Sequence, residues 1–217
     1  MTAIEEKLSN EAIDDKPSYL FFKRLFDIVL SVIGLTVLFI PLCVVSLIIV
    51  IDSPGASPIY IQERIGKKGK KFKFYKFRSM IPDAEKELSK LLSKNEMQGP
   101  AFKIKNDPRI TKFGRIIRRS SIDELPQLWN VLKGDMTLVG PRPPLEREVD
   151  QYTDEQLKRL TVTPGITCFW QIKPKRNTLS FDEWVKLDLE YIQKRNIWLD
   201  IVIIFKTFKA VCGLEGE

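Results

Sequence analysis

The chain has 217 residues and not one is histidine. That removes the side chain most often used for proton transfer near neutral pH and the commonest nitrogen ligand for metals. Acid–base or nucleophilic work therefore falls to carboxylates, lysine, tyrosine or cysteine. Cysteine is scarce as well: Cys43, Cys168 and Cys212 lie far apart. An odd count at that spacing argues against a disulfide framework or a zinc site. Thiols in a reducing compartment, buried or facing a membrane, are expected, although Cys168 lies in a loop with other functional-looking residues. Internal repeats and low-complexity segments are also lacking. Acidic residues are in deficit, 28 against 35 lysines and arginines, for a formal charge of +7. Such a balance suits a polyanionic partner, whether nucleic acid, anionic lipid or a nucleotide diphosphate.

No charged residue interrupts the stretch from Ile28 to Ile51. It is long enough for a spanning helix, and the polar residues 1–19 before it, with no small-residue cleavage site after it, do not fit a signal peptide. Two features argue against a simple span. Pro41 lies near its middle, where proline kinks or breaks a helix. Basic residues flank it on both sides, Lys23 and Arg24 before, Arg64, Lys67, Lys68, Lys70, Lys71, Lys73 and Lys76 after. Positive flanks favour the cytoplasm, so both ends are expected on one face, with a re-entrant helix bent at Pro41. The expected organisation is a polar tail (1–19), a re-entrant membrane helix (20–51) and a cytosolic domain (52–217).

Within that domain, I-Y-I-Q-E-R-I-G and K-F-K-F-Y-K-F-R alternate with period two and predict two short strands around K-K-G-K-K. Helices are predicted over residues 82–98, after N-D-P-R-I-T through Ile117, from Leu125 to Lys133 with Gly134 as the stop, over 144–160, from Phe181 to Gln193, and from Trp198 to Val211. The last has Lys206 and Lys209 beside Ile203, Ile204 and Phe208. Lying on a membrane surface and packing on the core are both open to it. The fold class expected is α/β, a compact helix-rich domain with a small sheet and membrane-surface amphipathic helices.

The chemistry concentrates between Arg118 and Pro143. Asp123 and Glu124 are adjacent, which raises one pKa unless cations intervene. Arg118, Arg119, Arg142 or a divalent metal could serve. Ser121-x-x-Glu124 fits a capping box, and Asp123 could instead cap the helix directly; either places the acids at the positive end of a helix dipole. Arg142, between Pro141 and Pro143, has restricted backbone on both sides and a guanidinium suited to bidentate phosphate contact.

The chain resembles the bacterial sugar transferases, the polyprenyl-phosphate phosphoglycosyl transferases. The resemblance runs from Lys23 nearly to the C-terminus and rests on several motifs in order. They are K-R-x-F-D (23–27), Y-K-F-R-S-M (75–80), N-D-P-R-I-T (106–111), D-E-L-P-Q-L (123–128), V-L-K-G-D-M (131–136), V-G-P-R-P (139–143), P-G-I-T (164–167), W-Q (170–171) and L-D-L-E-Y-I (187–192). It implies the family's small monotopic form, without the extra N-terminal spans and soluble domain of larger members, on the cytoplasmic face of the bacterial inner membrane. It implies Asp123 as the nucleophile toward a nucleotide-diphosphate sugar, Glu124 as a positioning acid, and Mg²⁺ held by Asp123 and Glu124. Lys76, Arg78, Arg118, Pro141, Arg142, Pro143 and Arg176 are implied in substrate contact, with Asp188 holding one of those arginines. Undecaprenyl phosphate is the implied acceptor and inner-leaflet phospholipid, met by K-K-G-K-K at 67–71, the implied surroundings; homo-oligomerisation is left open. One departure stands out: Cys168 occupies a family glycine, and Pro174-Lys175 precede Arg176 where glycine is usual. Two rival readings are a membrane-tethered nucleic-acid binder, from the interleaved bases and aromatics of residues 71–78, and an inactive scaffold. Neither accounts for Asp123-Glu124 with G-P-R-P, and no nucleic-acid partner is expected.

Overall fold

The apolar stretch folds as two helices that meet at a sharp break. In the computed structural model, which describes residues 16–97, 99–102, 104, 106–173 and 178–211, α1 (Pro17–Val37) and α2 (Phe39–Asp52) are bent by 63°. The break falls at Leu38, three residues before Pro41, which corrects the expected hinge position. The ring of Pro41 would collide with the carbonyl of Val37, four residues back, so the first helix ends there. Pro41 then lies in the first turn of α2, where a missing N–H costs nothing. The Leu38 and Leu42 amides donate to the Gly34 and Leu38 carbonyls at 2.9 and 2.8 Å. The break is thus bridged by backbone alone; the Ser46 hydroxyl donates to Leu42, inside α2. Among the described residues no single helix is long and apolar enough to cross a membrane, while the bent pair passes that test together.

The predicted hairpin forms. β1 (Ile59–Ile65) pairs antiparallel with β2 (Lys71–Phe77), from Ile59 opposite Phe77 to Ile65 opposite Lys71. Because side chains alternate across a strand, Tyr60, Gln62 and Arg64 share one face with Phe72, Phe74 and Lys76. On that face Phe74 packs with Val131 and Met136. On the other, Phe77 packs with Ile49 of α2 and Ile117, tying the hairpin to the bent pair.

Beyond the hairpin, α3 (Leu88–Leu91) and a 3₁₀ turn (Leu92–Lys94) are all that forms, among the described residues, of the helix expected over 82–98. Asp83 has φ of 59°, a left-handed conformation that no helix continues through. α4 (Lys112–Arg119) opens with the Thr111 hydroxyl accepting the Gly114 N–H at 2.9 Å. α5 (Gln127–Lys133) ends at Gly134, whose φ of 88° suits glycine. The helix expected over 144–160 is broken into α6 (Glu146–Val149), α7 (Asp154–Leu157) and a 3₁₀ turn (Lys158–Thr161). The cause is a capping box: Thr153 accepts the Gln156 N–H at 3.3 Å and the Gln156 side chain accepts the Thr153 N–H at 3.0 Å. α8 (Phe181–Lys194) and α9 (Ile197–Val211) form as expected, and Ser180 with Glu183 caps α8.

A second sheet is not evident from the sequence. β3 (Thr137–Val139) and β4 (Gly165–Thr167) pair in parallel, three residues each, too short for a period to show. Gly140 and Gly165 meet there so closely that a Cβ on Gly165 would lie 2.1 Å from the Gly140 nitrogen. This contact fastens the V-G-P-R-P turn to P-G-I-T.

A polar joint holds α1 to the domain. Lys23 Nζ donates to Asp200 (2.8 Å) and to the Val139 carbonyl (2.9 Å), and the Tyr19 and Tyr191 hydroxyls donate to the same Asp200 carboxylate at 3.1 and 2.7 Å. Asp27 accepts from the Thr137 hydroxyl (2.6 Å) and the Leu138 N–H (2.9 Å). Arg24 donates to the last carbonyls of α5, Val131 and Leu132, at 2.5 and 2.7 Å. Lys23 and Arg24, basic residues flanking the apolar stretch, are thus engaged with the domain.

Candidate active site

Asp123 and Glu124 lie in a 3₁₀ turn (Ile122–Glu124) entered through Ser121 at φ 55°. Neither expected cap forms. The Glu124 N–H goes to the Ser121 carbonyl at 3.1 Å, and Pro126 occupies the position before α5 without a side-chain cap. The left-handed Ser121 turns the chain so tightly that both carboxylates are spared from capping. Asp123 is 8% exposed, and Glu124 accepts from Arg142 at 3.3 Å.

Three cations bear on Asp123 from three parts of the fold. Lys76 comes from β2, Arg118 from the last turn of α4, and Arg142 from the turn after β3. Burial, then Glu124, push the Asp123 carboxyl up to about 6, against Lys76, Arg118 and Arg142. Burial, then Arg118, Arg64 and Arg142, pull the Lys76 ammonium down to about 8. Burial also lowers Arg118, whose Nε donates to the Ser79 hydroxyl at 2.8 Å. A Cβ on Gly114 would come within 2.0 Å of the Ser79 carbonyl, so glycine there lets α4 approach closely enough for that bond. The strap holding Arg142 is fixed on both sides. The Pro141 carbonyl accepts the Gly165 N–H (2.9 Å), and the Pro143 carbonyl accepts Arg64 Nη1 (3.0 Å).

Lys76, Arg78, Arg118, Arg142 and Pro143 line one cavity of about 590 Å³. Arg78 lies to one side, donating to the Ser57 carbonyl at 2.7 Å and stacked over Tyr60. Asp188 does hold an arginine, but its partner is Arg159, at 2.8 and 2.7 Å, rather than any of the expected cations. Arg176 lies outside the described residues. Cys168 is 1% exposed and its thiol is held well above its usual value by burial, then Asp188; it is inert packing, not a contact surface.

Sequence reasoning missed Arg64 as a member of this cavity, and also its aromatic end, where Trp170 and Trp184 stack at 4.4 Å with both indole N–H groups unpartnered. The alternation Tyr60, Gln62, Arg64 in β1 would have revealed the first. Trp170 falls in the W-Q motif, but its stacking on Trp184 arises only through tertiary folding.

Among the described residues no group of three or more metal-ligating side chains occurs. Asp123 and Glu124 supply two carboxylates. That donor set fits magnesium, which takes one or two carboxylates and completes its octahedron with water and substrate phosphate.

Fold and cavity together define a helix-rich domain with a cationic pocket. Asp123, Glu124 and Pro141 lie outside its lining, while its Lys76, Arg118 and Arg142 act on Asp123 through their charge. A family model described as bacterial sugar transferase matches residues 18–213, and the chain belongs to that family. It is 50% identical over 196 residues to the galactosyl transferase CpsE of Streptococcus agalactiae, covering 90% of this chain and 43% of that protein. It is 43% identical over 205 residues to the undecaprenyl-phosphate galactose phosphotransferase of Salmonella typhimurium, 93% of this chain and 42% of that one. The exopolysaccharide production protein ExoY of Rhizobium meliloti is 39% identical over 199 residues, 90% and 87% of the two chains. The chain thus spans less than half the length of the first two relatives and most of the third.

Proposed function

We propose that this protein transfers sugar-1-phosphate from a nucleotide-diphosphate sugar, a UDP-sugar, to undecaprenyl phosphate, the first membrane step of a lipid-linked glycan for exopolysaccharide, capsule or O-antigen. The observation that carries this reading is Asp123, spared from capping and facing Lys76, Arg118 and Arg142. The relatives' names supply the acceptor and reaction class, since one is an undecaprenyl-phosphate galactose phosphotransferase and another an undecaprenyl-phosphate glucose phosphotransferase.

In this reading an ionised Asp123 oxygen attacks the β-phosphorus. The bond from that phosphorus to the bridging oxygen breaks, and the nucleoside monophosphate leaves with the electron pair. An oxygen of the lipid phosphate then attacks the same phosphorus and frees the carboxylate. Phosphoryl transfer needs alignment and charge neutralisation more than covalent assistance. Arg142 grips phosphoryl oxygens through its planar fork, Lys76 and Arg118 offset developing charge, and Glu124 orients Arg142. Magnesium held by Asp123 and Glu124 would neutralise the diphosphate and polarise it.

The same proposal puts the protein at the cytoplasmic face of the inner membrane, held by a re-entrant helix pair. Support comes from apolar side chains left exposed on α1 and α2, among them Val37, Phe39 and Ile40, and on α9, where Trp198, Phe205 and Phe208 are 74, 59 and 64% exposed. Lys67, Lys68 and Lys70 at the hairpin tip suit phospholipid headgroups. A nucleic-acid role is disfavoured because Phe74 and Phe77 are buried in the core, not offered for stacking.

The test is order of events. With radiolabelled UDP-sugars and no lipid, the enzyme should release UMP and retain sugar-phosphate label on Asp123 by mass spectrometry; chelation should stop turnover and Mg²⁺ restore it. Intersecting initial-rate lines with no adduct would favour direct transfer and overturn the covalent step.

A further inference from the structure

Three arginines are buried among the described residues: Arg64, Arg109 and Arg159, at 8, 7 and 5% exposure. Two are paired with buried carboxylates, Arg109 with Asp107 at 2.6 Å and Arg159 with Asp188 at 2.7 Å. Arg64 is not. Its guanidinium lies over the Phe74 ring, 5.3 Å from the centroid, and makes two hydrogen bonds, to the Gln62 side chain (3.1 Å) and the Pro143 carbonyl (3.0 Å). Both acceptors are neutral. Removing an unpaired charge from water costs several kcal/mol, and the neighbouring Lys76 and Arg142 add repulsion: burial, then Arg142, pull Arg64 down to about 10. Glu148 offsets this only in part, its carboxylate being turned to the Leu145 N–H at 2.9 Å. A protein keeps such an arrangement where an anion arrives from outside, and Arg64 lines the cavity of Lys76, Arg118 and Arg142.

We infer that Arg64 is a substrate-binding residue for the diphosphate of the sugar nucleotide. One edge of its guanidinium locks the Pro143 carbonyl and so aims Arg142; the other meets a phosphoryl oxygen. The cation count favours a diphosphate over a single phosphate. Arg64, Lys76, Arg118 and Arg142 line the cavity. The carboxylates that line it too are engaged, Asp83 by Lys86, Glu85 by Tyr60 and Gln62, and Glu148 by the Leu145 N–H. Glu124, outside the lining, is engaged by Arg142. This inference deepens the transferase reading and rests on it for the identity of the ligand. The binding measurement stands apart from turnover.

The experiment uses the full chain in detergent, wild type against Arg64→Gln, Arg64→Lys and Arg159→Gln. UDP affinity is measured by calorimetry, along with KM for the UDP-sugar and for a polyprenyl phosphate, and the ligand-free melting temperature. Arg64→Gln should weaken UDP about tenfold or more, as loss of a charge-assisted contact does, and raise KM for the UDP-sugar while KM for the lipid stays within about twofold. Arg64→Lys should recover part of the loss. The ligand-free melting temperature of Arg64→Gln should hold or rise, because an uncompensated charge is removed, whereas Arg159→Gln, which strands Asp188, should melt lower. Unchanged UDP affinity in Arg64→Gln overturns the inference and leaves Arg64 a strut for the Pro-Arg-Pro strap. A higher lipid KM with UDP affinity intact also overturns it, assigning the contact to the acceptor phosphate. Arg64-dependent UDP binding without turnover by the wild type would uphold the inference and sink the transferase reading instead.

Discussion

Around Asp200, one lysine and two tyrosine hydroxyls converge on a single carboxylate, and Asp27 nearby takes two further hydrogen bonds. Around Asp123, three cations converge on a carboxylate that accepts no hydrogen bond from any of them, and Arg64 behind them hydrogen-bonds only neutral acceptors. Each assembly is built on a buried aspartate with a lysine beside it. The first is closed on itself and joins the bent helix pair to the domain. The second is left unbalanced, with an acid raised to about 6 and a lysine lowered to about 8. Satisfied charges mark a joint; unsatisfied ones mark a place for something else to bind.

The largest effect should come from removing the acid at the centre of the unbalanced cluster. Asp123→Asn should cut turnover by roughly three orders of magnitude or more and abolish protein labelling. Its stability should move the opposite way. The folded-state value of Asp123 lies above the unfolded one, so the folded protein favours the protonated acid. The cost of ionisation is absent below about pH 4 and complete above about pH 6, up to ~3 kcal/mol. Asp123→Asn should therefore melt higher than wild type at pH 7.5 and equally at pH 4. A variant less stable than wild type at pH 7.5 would erase the contrast between cluster and joint.

The joint should behave conversely. Lys23→Met strands Asp200, 2% exposed in its side chain, and should cost about 3–5 kcal/mol, read as a lower melting temperature or denaturation midpoint. The folded fraction should still bind UDP with unaltered affinity. Weakened binding in that fraction would mean that the two regions are coupled.

Arg142→Lys keeps charge and loses the planar fork. We expect roughly a tenfold to hundredfold drop in kcat/KM, with little change in melting temperature because Arg142 is 39% exposed. Near-wild-type kcat/KM would remove Arg142 from phosphate recognition.

The smallest effect is graded by pH. kcat/KM should follow a bell whose acid limb near 6 reflects ionisation of Asp123 and whose alkaline limb near 8 reflects proton loss from Lys76. Since the groups influence one another, the limbs belong to the cluster. Lys76→Gln should flatten the alkaline limb and shift the acid limb upward, because Lys76 lowers Asp123. An unmoved acid limb would assign it to another group.

Much of the fold is legible in short-range signals. The hairpin follows from alternation at 59–65 and 71–77, α8 from its apolar spacing, and the stop of α5 from Gly134. Where the reading failed, a local signal was often present and outvoted: Thr153-x-x-Gln156 is a capping box inside a stretch taken for one helix. The Pro41 break was misplaced because proline acts four residues back, on Val37. The site was legible as an inventory, Asp123, Glu124, Lys76, Arg118 and Arg142, because each sits in a distinctive string. Arg64 was counted among flanking charges although its strand register, opposite Phe72, set it on the same face as Lys76.

By itself, the sequence determined the chemical means: no imidazole, a pair of adjacent acids, an excess of cations and an apolar stretch that must break. These are properties of residue types and of contacts within a turn or two of chain, where geometry is nearly fixed. Only the tertiary structure decided the pairings. Glu124 meets Arg142, Asp188 meets Arg159 and none of the cations around Asp123, Lys23 meets Asp200 across 177 positions, and Arg64 hydrogen-bonds only neutral acceptors. An ion pair forms where packing brings its partners together, and packing depends on every element at once. Which charges are neutralised, and which remain for a ligand, is therefore set when the hairpin, the strap and the helices close on one another.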